Sequence, residues 1–507
     1  MANFKRKIAS MAALSIFMTG SAAVAEVSPQ QVWDDWKSYM AGFGYVVDAN
    51  ESTSGGKLTV SDIEMSMQIP DQDGSISMKM GQMTFSDNGD GTVAVSIPQI
   101  MPMVMSIDAP DGEDVDIAME YASTGFAMNV SGSPDSMTYN YSAAELALLL
   151  KELVVEGAPV DFGKASMSMA NVTGTAALSG SDLRTYSQRF STGEVVYSVD
   201  FTDPKAGGRF VANGTFANMA FDGKGSFPAQ MDPTNMAAMM AAGFGVDGGF
   251  SYESGATTFS VEEDGKTVQG TSSSEHGDLK VAMDGDRLQY SGSARNMQMQ
   301  MMGGEIPFPI EMAMAESAFN LLIPVSKSDN DQDFALGITL GDFTISDMIW
   351  GIFDPMGQLP RDPATIAIDL SGKVELFFDL MDPEQMASVE NSDEAPGELK
   401  ALDLNALTLR AAGAELTGGG GFTFDNSDMM TFQGMPAPTG AIDLKLEGGN
   451  GLLDKLIAMG IMPEDQAMGM RMMMGLFAVP GDGDDTLTSK IEVTGDGKVL
   501  ANGQRLR

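Results

Sequence analysis

The chain has 507 residues, with 70 acidic and 29 basic side chains, a formal net charge of −41, no cysteine and one histidine. The lack of cysteine excludes disulfides, thiol nucleophiles and cysteine-ligated metals, and His276 alone excludes any site that needs two imidazoles. Because so acidic a surface repels phosphates, we expect no nucleic-acid partner.

Residues 1–25 predict a signal peptide. Three basic residues, 5–7, precede an apolar run at 8–18, and Ala23-Val24-Ala25 ends the segment with small residues. We expect cleavage after Ala25 and export to the periplasm. The apolar run is too short to span a bilayer, and no later stretch has eighteen uncharged apolar residues. We therefore expect no transmembrane segment after signal cleavage.

The mature chain opens on a predicted helix near 29–42. Ser28 can cap its first turn, Pro29 suits the first helical position, and Gln31 completes a capping box. Apolar residues then recur at three- and four-residue spacing, which places them in one stripe: Val32, Trp33, Trp36, Tyr39, Met40 and Phe43. We expect this helix to close the end of a β core, although two tryptophans on one face also suit a membrane interface.

From Lys57 onward the apolar period changes to two, which is typical of strands with one buried face. Turns rich in Gly and Asp separate these runs, which favours an antiparallel meander. The predicted fold class is mainly β with a few helices (β-rich α+β). We expect extended, curved antiparallel sheets with helices packed at their ends or on one face.

Further helices are predicted near 142–156, 233–242 and 452–477, from Leu-rich, Met-rich and Gly-bounded segments. Ile306-Pro307-Phe308-Pro309-Ile310 is a rigid extended crossing. We divide the mature chain there, into an N-terminal β-rich half at 26–305 and a C-terminal β-rich half at 306–507.

The stretch from Asp347 to Thr365 is the least generic part of the sequence, and we interpret it as a structural junction. A short helical turn is expected to carry Met348, Ile349 and Trp350 inward, and Asp354-Pro355 should end it. Arg361 could pair with Asp354 or Asp362 to hold the corner. In an alternative interpretation, Trp350 and Arg361 contact a ligand or partner.

Methionine is the most unusual component, with 43 copies. On a strand, the Met-x-Met spacing puts both thioethers on one face, where they suit either a soft metal such as Cu(I) or an adaptable apolar lining. The lining is the plainer interpretation. Acidic turns lack the ligand spacing of an EF-hand, and the Gly-rich segments lack the strand–turn–helix order of a phosphate site. We therefore assign no catalytic, cofactor-binding or metal-binding residue.

Three blocks carry a resemblance to a known family. They are Asp347–Thr365, Ile306–Ile310, and a C-terminal block containing Gly434-Met435-Pro436, Gly451-Leu452-Leu453-Asp454 and Val479-Pro480-Gly481. In these blocks the chain resembles the bacterial domain-of-unknown-function family 2125, whose members are uncharacterised exported or membrane-anchored proteins. The resemblance implies no activity and no catalytic residue.

Two hypotheses of function lead. In the first, the protein is a non-catalytic binding module or carrier that holds a lipid-like ligand on an apolar sheet face. In the second, it is a structural or interaction protein of the envelope, with a packed core and another envelope protein as partner. Methionine-based copper handling is a third hypothesis, and an enzyme is a distant fourth because no catalytic motif is present.

Overall fold

The computed structural model describes residues 26–69, 74–109, 114–203, 207–231, 235–390 and 395–507. The predicted signal peptide lies outside the described residues. Strands dominate the described chain and form one antiparallel sheet, while helices are few and short. The predicted mainly-β class with a large antiparallel sheet is confirmed.

The described ranges contain six helices. They are α1 (Pro29–Gly42), α2 (Met236–Ala241), α3 (Asp347–Phe353), α4 (Pro383–Glu390), α5 (Gly449–Ala458) and α6 (Glu464–Phe477). The predicted helix near 29–42 is present with its capping box, since the Ser28 backbone N–H donates to Oε1 of Gln31 at 2.9 Å and the Gln31 N–H donates to the Ser28 hydroxyl. The helices expected near 233–242 and 452–477 correspond to α2 and to α5 with α6.

Fifteen strands precede α2 in the described chain. They are β1 (Val46–Ser54), β2 (Lys57–Gln68), β3 (Ser75–Met80), β4 (Met83–Asp87), β5 (Val93–Ser96), β6 (Ile100–Asp108), β7 (Val115–Thr124), β8 (Ala127–Ser133), β9 (Ser136–Val155), β10 (Ala158–Pro159), β11 (Phe162–Ser179), β12 (Leu183–Ser191), β13 (Glu194–Thr202), β14 (Arg209–Ala217) and β15 (Ala220–Pro228).

Fifteen further strands follow α2 in the described chain. They are β16 (Gly245–Tyr252), β17 (Ser254–Glu263), β18 (Lys266–Ser274), β19 (His276–Met283), β20 (Arg287–Gly303), β21 (Ile306–Pro324), β22 (Gln332–Ile345), β23 (Ala364–Leu376), β24 (Gly397–Ala411), β25 (Ala414–Asp425), β26 (Ala437–Glu447), β27 (Val479–Pro480), β28 (Thr486–Val493), β29 (Val499–Ala501) and β30 (Gln504–Arg505).

The helix predicted at 142–156 is wrong, because this segment belongs to strand β9. Its Leu, Ala, Lys and Glu residues favour a helix locally, but β9 lies between β7 and β11 and pairs with both. Ladder hydrogen bonds on both edges outweigh a helix preference that is worth only tenths of a kcal/mol per residue. Leu146, Leu148 and Leu150 alternate along the strand instead of sharing a helical stripe.

The topology is an up-and-down meander of long strands, many of them interrupted near their middle. For example, β3 and β4 together pair with β2, and β18 and β19 together pair with β20. The predicted boundary between residues 305 and 306 falls in the turn of the β20–β21 hairpin, and the sheet continues across it.

Several long strands bend at an Asn or Asp with a left-handed backbone conformation. Asp62, Asn171, Asn296 and Asp342 have φ of 51°, 54°, 47° and 53°. Asn and Asp tolerate this conformation better than other side chains with a Cβ. In β20 the register with β21 is unshifted across Asn296, while the apolar side chains change from Leu288 and Tyr290 before it to odd-numbered methionines after it.

Helix α1 packs on the sheet, and the sheet curves around it. Glu51 of β1 contacts α1 on one side and Arg184 of β12 contacts it on the other. Seven strand-to-strand steps separate β1 from β12, about 34 Å in a flat sheet at roughly 4.8 Å per step. A helix with its side chains is only about 10–12 Å wide. Strands that far apart reach one helix only because the sheet bends, so the face toward α1 is concave there.

Candidate functional site

A continuous apolar row crosses the sheet perpendicular to its strands. Residues paired directly across antiparallel strands point to the same face. Following the register from strand to strand gives row 1: Leu58, Phe85, Val95, Met128, Tyr141, Gly174, Phe190, Phe221, Phe250, Leu279, Gly292, Phe319, Ile338, Ile368, Leu407, Gly418 and Leu444. All seventeen members are apolar, glycine or tyrosine.

The neighbouring row on the same face is also apolar, glycine or tyrosine at every position except Gln188. Row 2 runs through Val93, Val130, Tyr139, Ala176, Gln188, Gly223, Gly248, Val281, Tyr290, Leu321, Leu336, Leu370, Leu404, Gly420 and Ile442. The intervening residues face the other way and are polar, as in Asn140, Thr175, Arg189, Asp222 and Lys280. The sheet therefore has one apolar and one polar face.

Helix α1 covers the N-terminal part of the apolar face. Phe85 is fully buried and contacts the rings of Trp33 and Trp36, with centroids 6.0 and 5.4 Å away. Val60 and Val130 are also fully buried beneath the helix. The prediction that the Trp-bearing stripe packs on a β core is confirmed.

Ionic contacts hold α1 at both sides. Glu51 accepts hydrogen bonds from the Trp33 indole at 2.7 Å, Lys37 at 2.8 Å and Gln30 at 3.0 Å. The Lys37 and Gln30 contacts lower the pKa of Glu51 to about 2. On the opposite side, Asp35 pairs with Arg184 at 2.5 Å, and both side chains are largely buried.

Beyond α1 the apolar face is open. Phe319 and Ile338, adjacent in row 1, are 45% and 44% exposed. We define the open apolar face by eight exposed side chains on this side of the sheet: Phe221, Phe250, Tyr290, Phe319, Leu336, Ile338, Ile366 and Leu409. The same rows are buried where α1 packs on them and exposed here. The difference in exposure therefore comes from the helix and not from the type of side chain.

Helices border this face at its two ends. Met239 and Met240 of α2 are buried against Phe244 and Val325, with Val246 and Met283 packed around them. At the C-terminal end, Ser489 pairs with Leu444, the last member of row 1. Its hydroxyl donates to the backbone carbonyl of Phe477 at the end of α6 at 2.7 Å. The open face lies between these helices, in agreement with the expected packing of helices at the ends of the sheet.

Two cavities lie in the same region, on chemically different linings. An apolar cavity of about 270 Å³ is formed by side chains that include Tyr186, Phe221, Phe227, Phe250 and Leu279. It connects the open apolar face to the part that α1 and α2 cover, since Phe227 also contacts Phe43 and Phe244.

The larger cavity, about 900 Å³, is bordered by side chains of the polar face that include Asn140, Thr175, Arg189, Asp222 and Lys280. Arg189 and Asp222 satisfy each other at 2.7 Å and are both well exposed. The 900 Å³ cavity is therefore a solvated trough on the polar face. We place the candidate site on the apolar face, although the cavity there is smaller.

The Met-x-Met segments meet one another across strands. The register pairs Met65 with Met78, Met78 with Met105, Met80 with Met103, Met103 with Met119, Met297 with Met314, and Met299 with Met312. The six N-terminal methionines are all partly buried. Met65 and Met80 pack against the buried cluster that includes Val32 and Trp33 of α1. The sequence predicted the shared face but not these partners.

The predicted junction residues form a local turn around Asp354. The Asp354 carboxylate is buried and accepts the backbone N–H groups of Gln358 and Leu359 at 2.9 and 2.8 Å, which lower its pKa. Trp350 is half-buried, with its ring centroid 4.9 Å from that of Phe353.

Two details of the junction prediction are wrong. Arg361 pairs with Asp347 and not with Asp354 or Asp362, and Asp362 is exposed. Met348, expected to point inward, is also exposed. Strands β22 and β23, on either side of the junction, pair with each other, so the junction connects neighbouring strands of one sheet.

Within the described residues, no group of three or more His, Cys, Asp and Glu side chains could hold a metal ion. None of the helices in those ranges is long and apolar enough to cross a membrane.

Sequence reasoning missed the phenylalanines of row 1. Phe190, Phe221, Phe250 and Phe319 each alternate with small or polar neighbours, a signal for a one-sided strand. That signal cannot show which residues align across strands, because alignment depends on pairing between distant segments. No family model matches this chain and no curated protein does, so its resemblance to family 2125 stays a prediction.

Proposed function

We propose that this chain is an exported, non-catalytic protein of the cell envelope that binds a lipid-like ligand on its open apolar face. The observation that carries the proposal is the exposure of Phe319, Ile338 and their row neighbours, whose counterparts at Phe85 and Val95 are buried under α1. Soluble proteins rarely expose a large contiguous apolar patch without a partner for it.

The shape of the site favours an extended ligand. The apolar rows run across many strands, and the 270 Å³ cavity beside Phe227 gives the face a recess next to α1. A flexible hydrocarbon chain can follow such rows while its polar end stays in water. Burying apolar surface contributes roughly 25 cal/mol per Å² of area removed from water.

The alternative of an interaction protein with a packed core fits the part beneath α1. It does not by itself account for the exposed side chains beyond α1, which would then need a protein partner. The bound species therefore distinguishes the two functions.

Native mass spectrometry of protein purified from a membrane-containing lysate, with no delipidation step, tests the proposal. We expect a population with added lipid-like mass. Phe319→Asp should abolish the added mass, because a carboxylate would be buried under the ligand. Asn320→Asp is the matched control, since it introduces a carboxylate at the next residue, on the polar face. A clean apo mass for the wild type contradicts the proposal.

The paired methionines favour copper handling as a second candidate function. Met78, Met80, Met103 and Met105 lie on two paired strands and face the same side, so their thioethers can approach one soft ion. Replacing these four residues with leucine keeps the apolar lining and removes the sulfur. A Cu(I) titration against a competing chelator should then show at least tenfold weaker binding. Equal binding by both proteins assigns these methionines to lining alone.

A further inference from the structure

We propose that one end of the sheet docks on the surface of a neutral lipid bilayer through exposed side chains of α3, α6 and the β20–β21 turn. This inference rests on the proposed function in one respect, because an apolar ligand must be taken from a membrane. The docking residues are otherwise distinct from the open apolar face.

The three segments lie at the same ends of their strands. Strand β20 ends at Gly303 and β21 begins at Ile306, while β22 ends at Ile345 directly before α3. Strand β26 ends at Glu447 directly before α5 and α6. Since each neighbouring pair is antiparallel, these ends all fall on one side of the molecule.

Contacts join two of these segments, the α3 loop and the α5–α6 pair, into one surface. Pro360, in the loop after α3, lies against the β24–β25 turn, where a Cβ added to Gly413 would be 2.9 Å from the proline ring. Gly448, the residue before α5, approaches the carbonyl of the same Gly413 closely. The α3 loop and the α5–α6 pair therefore flank one hairpin turn.

Helix α6 is attached by one side and presents the other to solvent. Ala467 is fully buried, and Arg471 pairs with Asp454 of α5 at 2.6 Å. Met472 is 73% exposed, and Met356 after α3 is 79% exposed. The exposed apolar side chains of the three segments are Met302, Ile306, Met348, Ile352, Phe353, Met356, Met468, Met470, Met472, Met473 and Leu476.

The charge pattern favours zwitterionic lipid over anionic lipid. Arg471 is the one basic residue of α6 and is paired with Asp454, while Arg361 beside α3 is paired with Asp347. Glu464 and Asp465 at the start of α6 add negative charge. An anionic surface would be repelled, whereas flexible thioether side chains suit the interior of a fluid bilayer.

Flotation of the full chain with phosphatidylcholine vesicles tests the proposal. We expect the wild type to float, with weaker binding to vesicles rich in phosphatidylglycerol. The double variant Met468→Asp, Met472→Asp should reduce flotation at least tenfold, because it places two carboxylates on the docking stripe. The matched control is Met430→Asp. Met430 is 89% exposed but lies between β25 and β26, at the opposite strand ends.

Circular dichroism confirms that both variants are folded, and light scattering reports oligomeric state. The proposal is overturned if the wild type does not float. It is also overturned if Met430→Asp reduces flotation as much as the double variant does. A dimer that the double variant loses, without vesicle binding, assigns the surface to self-association instead. Binding of a fluorescent fatty acid without vesicles reports on the proposed function separately, and the double variant should retain it.

Discussion

At the scale of single residues, glycines in row 1 make room for large neighbours. The ring of Phe319 lies 2.8 Å from where a Cβ on Gly292 would be, and the Tyr141 ring covers Gly174 still more closely. Both glycines are paired with the covering residue across strands. The apolar face therefore stays continuous at glycine positions because an adjacent aromatic ring fills the space.

Phe85 and Phe319 provide a direct test of how cover determines a residue's role. Both belong to row 1, but Phe85 is fully buried under α1 and Phe319 is exposed. We expect Phe85→Ala to lower the free energy of unfolding by about 3–5 kcal/mol, because it leaves a cavity in the core. Phe319→Ala should change it by less than about 0.5 kcal/mol while weakening binding of a fluorescent fatty acid.

Chemical denaturation and a ligand titration on both variants measure these effects. Equal destabilisation by the two substitutions would show that Phe319 is covered in solution, and the open apolar face would not exist as described.

The junction residues differ in expected importance. Asp354 is buried and satisfies two backbone N–H groups, so Asp354→Ala leaves both donors without that partner and should lower Tm by several degrees. Arg361→Ala should have a smaller effect, because its partner Asp347 has a side chain that is 83% exposed. Thermal scans of the two variants measure both effects. A larger fall in Tm for Arg361→Ala than for Asp354→Ala would contradict this prediction.

At the scale of elements, helix α1 was predictable because its signals are local. The cap, the proline and the apolar stripe all lie within sixteen residues, and the structure has the helix where they placed it. Its partners were not predictable, since Arg184 lies 149 residues beyond Asp35. Sequence periodicity also could not align Phe85 with Phe319, which requires the pairing of every strand between them.

The error at β9 has the opposite cause. Leu146–Leu150 has a local preference for helix, and only the long-range pairing with β7 and β11 overrides it. The period-two alternation of Leu146, Leu148 and Leu150 was present in the sequence, but the leucine between them concealed it.

Attachment of α1 should depend on pH through Glu51. Its pKa is about 2 in the folded protein against an ordinary 4.5, because Lys37 and Gln30 stabilise the carboxylate. A lowered folded pKa adds stability that is present above pH 4.5 and is lost as the pH falls from 4.5 toward 2. The difference in Tm between wild type and Glu51→Gln should therefore shrink across that window.

Trp33 and Trp36 make intrinsic fluorescence a direct report on this helix, and Trp350→Phe removes the third tryptophan from the signal. If the difference in Tm between wild type and Glu51→Gln stays constant from pH 6 to pH 2.5, the proposed role of Glu51 is contradicted.

At the scale of the whole molecule, one sheet carries the structure from β1 to β30, and its edge strands differ. The sheet ends in the short strands β29 and β30 on one side and in the nine-residue β1 on the other. Since neighbouring strands are mostly consecutive in sequence, the fold grows by addition of hairpins. Residues with a left-handed backbone conformation, such as Asn296, lie within several of the long strands.

The net charge of the chain should make its stability depend on salt, because the acidic side chains outnumber the basic ones by 70 to 29. Most ion pairs in the described residues are exposed and contribute little, so repulsion among unpaired carboxylates should dominate the salt response. Raising NaCl from about 10 mM to about 1 M shortens the screening length from about 30 Å to about 3 Å. We therefore expect Tm to rise by several degrees, measured by differential scanning calorimetry with glycerol at equal osmolality as the control. A fall in Tm would mean that the ion pairs, including Asp35 with Arg184, outweigh the repulsion.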